Sequence, residues 1–135
     1  MNYWLIKSEP SVYSFDQLKK EKKTAWTGVR NYAARNNLRA MKKGDLCLYY
    51  HSNEGLCIVG VAKVVKEAYQ DPTTEDKNWV CVDVAAAETF KNPVALSVLK
   101  TDKVLKNMQF VRIGRLSVSV VTEEEFDLVK KLSCN

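Results

Sequence analysis

The segment TAWTGVRNYAAR, residues 24–35, combines residue types that could bind a flat ligand carrying negative charge. Trp26 precedes Gly28, which permits a tight turn, and Arg30 and Arg35 follow closely. A tryptophan in this setting either fills the core or forms a wall on which a nucleobase stacks. Asn31 can cap a helix whose first backbone N–H groups, together with Arg30, bind a phosphate. Nucleic-acid binding is therefore the first chemistry to consider.

Catalytic groups are poorly represented. His51 is the only histidine in the chain, and it stands beside Ser52 at the end of an apolar run. Neighbouring strand residues point to opposite faces, so His51 cannot readily act as a base for Ser52. The sequence has no G-x-S-x-G elbow, no phosphate-binding loop and no H-E-x-x-H motif. We predict that the protein is not an enzyme; the alternative is a small hydrolase or transferase acting on a nucleotide-like metabolite.

Metal and cofactor sites are not indicated either. The four cysteines, Cys47, Cys57, Cys81 and Cys134, form no C-x-x-C pair, whereas zinc sites need four cysteine or histidine ligands at close spacing. We therefore predict no metal and no cofactor. Cys47, Cys57 and Cys81 lie in strand-like apolar runs, which predicts buried thiols in a reducing compartment.

Charge and hydropathy limit the partners and the location. The 135 residues carry a formal net charge of +5, which favours phosphates or other anions. No apolar run approaches the roughly 20 residues of a membrane span. The first residues, MNYWLIKSEP, lack the basic start of a signal peptide. We expect no membrane contact, and a location in the cytosol, or in the nucleus where the host has one.

The elements that must position these groups follow from periodicity. Residues 2–9 predict a strand with Trp4, Ile6 and Ser8 on one face and Tyr3, Leu5 and Lys7 on the other. Further strands are predicted at 45–52, 56–69 and 79–90 and within 109–121, with a bulge or close backbone approach at Gly60. Helices are predicted at 15–22, from Asn31 to Met41, and after Thr122, where Ser14–Gln17 and Thr122–Glu125 have capping-box spacing.

This order of elements predicts one α+β domain over residues 1–135. The strands do not alternate with helices as parallel units would, so the sheet should be mostly antiparallel. We expect it to be curved and to close into a small barrel with flanking helices. We expect a monomer.

Four blocks of the sequence resemble a known family in order. They are NYWLIKSEP, WTGVRNYAARNNLRAMKKGDLCLYYHS, IVGVAKVVKEAYQDPT and RLSVSVVTEEEFDLV. Together they resemble the EVE domain, a member of the PUA-like superfamily, along nearly the whole chain. The resemblance implies a small curved barrel and a non-catalytic reader of a modified base, modified cytosine in DNA above all. The implied partner is DNA or RNA carrying such a base; a general RNA-binding module of PUA type is a further alternative.

The resemblance also implies a set of pocket residues. Carried over by position, these are Lys7, Ser8, Glu9, Trp26, Val29, Arg30, Asn31, His51 and Ser52, with Leu116 and Ser117 closing the pocket. In this set Trp26 is expected to be a pocket wall and Arg30 to face a phosphate, while Trp4 is expected in the core. The loop after YQDPT is shorter than is usual in the family, which affects the pocket rim.

Overall fold

Six strands form one sheet in the computed structural model, which describes residues 1–134. They are β1 (Tyr3–Ser8), β2 (Lys23–Ala25), β3 (Leu46–His51), β4 (Cys57–Gln70), β5 (Val80–Ala95) and β6 (Val118–Val121). The order across the sheet is β2-β5-β4-β3-β1-β6. β1 pairs with β3 in parallel, and the other neighbours are antiparallel. The ends of β1 and β3 therefore lie side by side, with Ser8 opposite His51.

Five helices flank the sheet in residues 1–134. They are α1 (Phe15–Glu21), α2 (Tyr32–Ala40), α3 (Leu96–Thr101), α4 (Gln109–Arg112) and α5 (Glu123–Ser133), with a 3-10 turn at Leu105–Asn107. The predicted caps form: Asn31 Oδ1 accepts the Ala34 N–H at 3.0 Å, and Thr122 and Glu125 make a complete capping box. At α1 only half of the box forms: Ser14 Oγ accepts the Gln17 N–H, but the Gln17 side chain donates to Glu21 and does not accept the Ser14 N–H.

Both faces of the sheet are buried, each under its own helices. The first core lies under α1 and α2 and includes Trp4 and Ile6; the second lies under α3, α4 and α5 and includes Leu5. This division follows the predicted alternation along β1. Tyr49 and Tyr50, adjacent on β3, are both buried and point into different cores.

Trp4 is a core residue, as predicted, with 4% of its surface exposed. Its indole N–H donates to Asp45 Oδ2 at 3.0 Å, and the same carboxylate accepts the Asn2 and Lys42 N–H groups. Burial would raise the pKa of Asp45, but these hydrogen bonds outweigh it and lower the pKa. The N-terminal strand is thus joined to the turn before β3 by one buried charge.

The fold confirms the α+β class and corrects several details. β2 and β6 are the edges of the sheet order and do not pair within residues 1–134, so closure into a barrel is not confirmed. β2 was not predicted, because its lysine-rich surroundings are typical of a solvated helix end. Residues 109–112 form a short helix and not a strand, with Phe110 buried in the second core. β5 continues to Ala95, well past the predicted end at 90.

The cysteine prediction holds in part. All four cysteines are free thiols, and Cys47 and Cys81 are buried. Cys57 is only half-buried, because it begins β4 next to an exposed turn. None of the helices in residues 1–134 is long and apolar enough to cross a bilayer. The cytosolic or nuclear location stays a prediction.

Gly60 lies where β4 passes under α1 with no room for a side chain. A Cβ there would come 2.5 Å from the Glu88 carbonyl oxygen and 2.6 Å from the Phe15 ring. We expect Gly60→Ala to lower the free energy of unfolding by about 1–3 kcal/mol, as overpacking does. Gly114→Ala is the matched control, since a Cβ at Gly114 meets nothing within 4 Å. Equal urea midpoints for the two variants would contradict this account.

Candidate functional site

A cavity of about 290 Å³ opens where β1 and β2 end; we call it the Trp26 cavity. Its lining consists of Ser8, Val12, Tyr13, Thr24, Ala25, Trp26 and Thr27. The volume lies near the lower limit of small-molecule sites, about 300–1,000 Å³, and suits a ligand the size of one nucleobase.

Aromatic rings form the inner side of the Trp26 cavity. Trp26 is 9% exposed and makes edge-to-face contacts with Tyr13 at 6.3 Å and with Tyr49 at 5.4 Å between ring centroids. Its backbone N–H donates to the Val82 carbonyl at 2.7 Å, which fixes the residue after β2. Trp26 therefore belongs to the first core and also borders the cavity, so both interpretations of this tryptophan apply to it.

Polar groups line the other side. Ser8, Thr24 and Thr27 contribute hydroxyls, and the Tyr13 phenol donates to Glu21 Oε1 at 2.7 Å. Burial and the hydrogen bond to Glu21 raise the pKa of Tyr13, so the phenol remains neutral at pH 7. Neutral hydroxyls beside aromatic rings are suited to a flat, uncharged ligand with donors and acceptors on its edge.

His51 lies on the same side of the sheet as this cavity but is occupied by a structural contact. Its Nε2 accepts the Phe15 N–H at 3.1 Å, which satisfies the first free donor of α1. Burial lowers the pKa of the imidazole, and the nearby Asp16 carboxylate opposes this only partly. A neutral imidazole whose acceptor nitrogen is already bonded has no free base to offer Ser52.

Lys7 and Ser52 lie elsewhere. They line a second cavity of about 310 Å³ on the opposite face of the sheet, beside Phe110, Lys100 and Gly114. The Lys7 ammonium donates to the Gly114 carbonyl at 2.5 Å, and burial lowers the pKa of Lys7. The structure thus brings Ser8 and Trp26 together and separates Lys7 and Ser52 from them. The cause is the alternation of side chains along β1 and β3.

The remaining predicted site residues have mixed positions. Val29 and Leu116 are buried in the first core, Glu9 is exposed, and the half-buried Ser117 accepts the Lys7 N–H through its carbonyl at 3.1 Å. Asn31 is the N-cap of α2. The ligand-binding role of all these residues stays a prediction.

The charge of Arg30 is paired, because the half-exposed side chain forms an ion pair with Asp71. Its Nη1 lies 3.1 Å from Asp71 Oδ2, and its Nη2 donates to Thr73 Oγ1 at 3.0 Å. The same Asp71 carboxylate accepts the Gly28 N–H at 2.8 Å and both the N–H and the hydroxyl of Thr73. We call Asp71, Thr73, Gly28 and Arg30 the Asp71 cluster.

The Asp71 cluster fixes the turn that follows Trp26. Gly28 has φ of 83°, a conformation that favours glycine, and its N–H needs the Asp71 oxygen. Burial would raise the pKa of Asp71, but its hydrogen bonds outweigh burial and lower the pKa to about 2. The bond with the Thr73 hydroxyl has the largest effect among them, and Arg30 contributes less. The turn therefore depends on a carboxylate that stays ionised throughout the physiological range.

Asp71, Tyr13 and Trp79 were missed by sequence reasoning. Tyr13 directly precedes the Ser14 cap, a position where apolar residues often pack against the helix, so this signal was available. Asp71 and Trp79 lie in a polar loop more than 40 positions from their partners, and no local pattern indicates such a pairing.

Metal ligands are not grouped in the part of the chain that the structure describes. No set of three or more His, Cys, Asp or Glu side chains there could hold a metal ion. The expected absence of metals and cofactors stays a prediction.

The sequence and the fold of this chain are similar to those of known proteins. The EVE domain matches residues 2–132, and the chain belongs to the EVE domain family. The chain is 39% identical to thymocyte nuclear protein 1 of Homo sapiens, over 97% of this chain and 73% of the human protein.

Two solved structures are close in fold. A crystal structure of a protein from Agrobacterium tumefaciens has a TM-score of 0.96 and 46% identity, covering 98% of this chain and 93% of that one. The crystal structure of the human THYN1 protein in complex with DNA containing 5-methylcytosine has a TM-score of 0.91 and 37% identity. It covers 100% of this chain and 99% of the human one.

His51 gives a pH dependence that can be tested directly, because it is the only imidazole. We expect its NMR titration to give a pKa below the ordinary value of 6.5. A lowered histidine pKa means that the folded state resists protonation. The free energy of unfolding then has its full value above about pH 6.5. It decreases as the pH falls below 6.5, because the unfolded state binds the proton more readily. His51→Gln should remove this decrease between about pH 7 and 5, measured by urea unfolding. A pKa above 6.5 would contradict the structural role.

Asp71 should contribute stability that depends on its charge. We expect Asp71→Asn to lower the free energy of unfolding by about 1–3 kcal/mol at pH 7, because Gly28, Thr73 and Arg30 lose a buried, charged acceptor. A lowered carboxyl pKa stabilises the fold above the unfolded value of 3.8, and the advantage disappears as the pH falls toward 2. The free energies of unfolding of Asp71→Asn and of the wild type should therefore become equal as the pH falls toward 2. Glu75→Gln, at an exposed position of the same loop, should match wild type throughout.

Proposed function

We propose that this protein is a non-catalytic DNA-binding domain that holds one modified cytosine in the Trp26 cavity. The proposal rests on the aromatic lining of this cavity taken together with the crystal structure of the human relative. That relative, whose chain in the crystal structure is matched over 99% of its length, is in complex with DNA containing 5-methylcytosine. The net charge of +5 agrees with a phosphate-rich partner.

The cavity has the properties that an extruded base requires. A pyrimidine within a duplex cannot present its whole edge, so a pocket must take it from the stack at a cost of about a few kcal/mol. Stacking on an aromatic ring returns about 1–3 kcal/mol. Trp26 and Tyr13 provide such rings, and Ser8, Thr24 and Thr27 provide hydroxyls for the edge of the base.

The arrangement of possible catalytic groups supports a binding role. His51 uses its Nε2 on the Phe15 N–H, and Ser52 lines the cavity on the other face of the sheet. A nucleophile needs a base within hydrogen-bond reach, and this pair does not provide one. No observation on the described residues favours a hydrolase or transferase over a reader.

Binding should depend on the Trp26 indole. We expect Trp26→Leu to weaken binding of DNA with a single 5-methylcytosine by about 1–3 kcal/mol per folded molecule. Binding of DNA with unmodified cytosine should be weaker in wild type and change less in the variant. The measurement is a fluorescence anisotropy titration at fixed salt, with the RNA counterpart as a further probe.

The matched control is Trp4→Leu. Trp4 is also a buried indole, with 4% exposure, but it lies outside the Trp26 cavity. Both variants should lose stability, since both remove core volume. Only Trp26→Leu should lose affinity when binding is measured below both melting temperatures. Unchanged affinity in Trp26→Leu, or conversion of the oligonucleotide detected by mass spectrometry, would refute the proposal.

A further inference from the structure

An exposed aromatic stack stands beside the Asp71 cluster. Tyr32, the first residue of α2, stacks on Trp79 with ring centroids 5.1 Å apart and an angle of 27°. Tyr32 is 62% exposed, and it is the one aromatic among the exposed large hydrophobic residues in residues 1–134. A tyrosine held in place on one side and open to solvent on another is a surface on which a further flat group can lie.

Arginines surround this stack. The Arg35 guanidinium lies 4.9 Å from the Tyr32 centroid and 5.9 Å from that of Trp79, and Arg30 lies 5.7 Å from the latter. Arg35 and Arg39, one helical turn apart, both donate to the Asn78 carbonyl at 3.3 and 3.4 Å. We call Tyr32, Trp79, Arg35 and Arg39 the arginine–aromatic surface.

The charges of Arg35 and Arg39 are not compensated. Arg30 is paired with Asp71, but Arg35 and Arg39 form no ion pair with any carboxylate in the part of the chain that is described. Their partners are the neutral Asn78 carbonyl and, for Arg35, the Asn36 side chain. Two uncompensated guanidinium groups beside an open ring match a phosphodiester strand with its bases.

We propose that the arginine–aromatic surface binds the DNA strand that flanks the modified nucleotide. The two guanidinium groups contact backbone phosphates, and an unpaired base or sugar of the strand packs on Tyr32. This inference rests on the proposed function of the Trp26 cavity and adds a second contact region to it.

The distance between the two regions suits one strand. Six residues lead from Trp26 to Tyr32, so their Cα atoms are at most about 20 Å apart. At about 3.4 Å for each nucleotide of a stacked strand, this corresponds to at most about six nucleotides. The Asp71 cluster connects the two regions directly, because Asp71 holds Gly28 of the turn and Arg30, which lies against Trp79.

The experiment compares single DNA strands with a central 5-methylcytosine and either about two or about ten nucleotides on each side. Arg35→Gln/Arg39→Gln should weaken binding of the long strand and reduce its slope of log affinity against log salt by about 1.4, or about 0.7 for each phosphate contact on a single strand. The short strand should bind as it does to wild type. Lys103→Gln/Lys106→Gln removes equal charge from exposed positions around the 3-10 turn, and it should leave the slope unchanged.

The ring is tested separately. Tyr32→Ser should weaken binding of the long strand about five-fold or more, and Tyr32→Phe should restore it, because the ring and not the hydroxyl makes the contact. Melting curves of all variants show that each is folded at the titration temperature.

The possible outcomes distinguish the two proposals. Wild-type affinity and slope for the long strand in both the double variant and Tyr32→Ser would overturn the arginine–aromatic surface while a preference for 5-methylcytosine still supported the Trp26 cavity. Loss of binding in the variants without any preference for 5-methylcytosine in wild type would refute the proposed function and leave the surface as a general strand-binding site. If RNA bound to the wild type more tightly than DNA, and the variants lost the same affinity for RNA, the assignment of DNA as the partner would be wrong.

Discussion

The buried carboxylate of Asp71 holds together the two segments on which both proposed contact regions depend. One segment contains Trp26 and its glycine turn; the other is the loop that ends at Trp79. With its side chain fully buried and bonded to Gly28, Thr73 and Arg30, Asp71 is shielded from competing water. A buried charge is favourable only when its partners are complete, so the two segments are held in one relative position or not at all.

The sheet imposes a second constraint, because it is covered on both faces. Side chains alternate between two cores, and the two cavities described above open at the ends of β1 and β3. This divides the polar strand ends into two cavities, one with Ser8 and Trp26 and one with Lys7 and Ser52. The first has neutral hydroxyls beside its aromatic rings, while the second has the ammonium groups of Lys7 and Lys100 beside Tyr50 and Phe110. The two cavities therefore favour different ligands, although the sequence motif KSEP contributes to both.

The local parts of this structure could be predicted from the sequence, and the long-range parts could not. The caps at Asn31 and Thr122 and the alternation along β1 depend on residues within a few positions, and all are observed. Strand β2 was not predicted, because it is only three residues long, has lysine-rich surroundings and is held by pairing with β5. The ion pair of Arg30 with Asp71 was not predicted either. Asp71 lies 41 positions away, in a loop whose polar residues are typical of any solvent-exposed turn.

The difference between local and long-range contacts also explains which parts of the candidate site could be predicted. Trp26 could be placed at a turn from its neighbours, but its burial depends on Tyr13 and Tyr49, which come from other segments. His51 was expected in the pocket through the family resemblance. Its Nε2 accepts the Phe15 N–H at the start of α1, and its role in ligand binding stays a prediction. Residue type and spacing therefore indicate the class of ligand, and only the packing decides which side chains can reach it.

The position of β1 in the sheet has a consequence for the order in which the protein can be made. β1 is paired with β3 on one side and with β6 on the other, so that Tyr3 lies opposite both Leu46 and Val121. Closing such distant pairs costs chain entropy and slows folding. During translation the apolar residues Trp4, Leu5 and Ile6 leave the ribosome before residues 118–121, so their strand lacks one neighbour until those residues have also emerged. The nascent chain therefore carries an unpaired strand edge until β6 has also emerged.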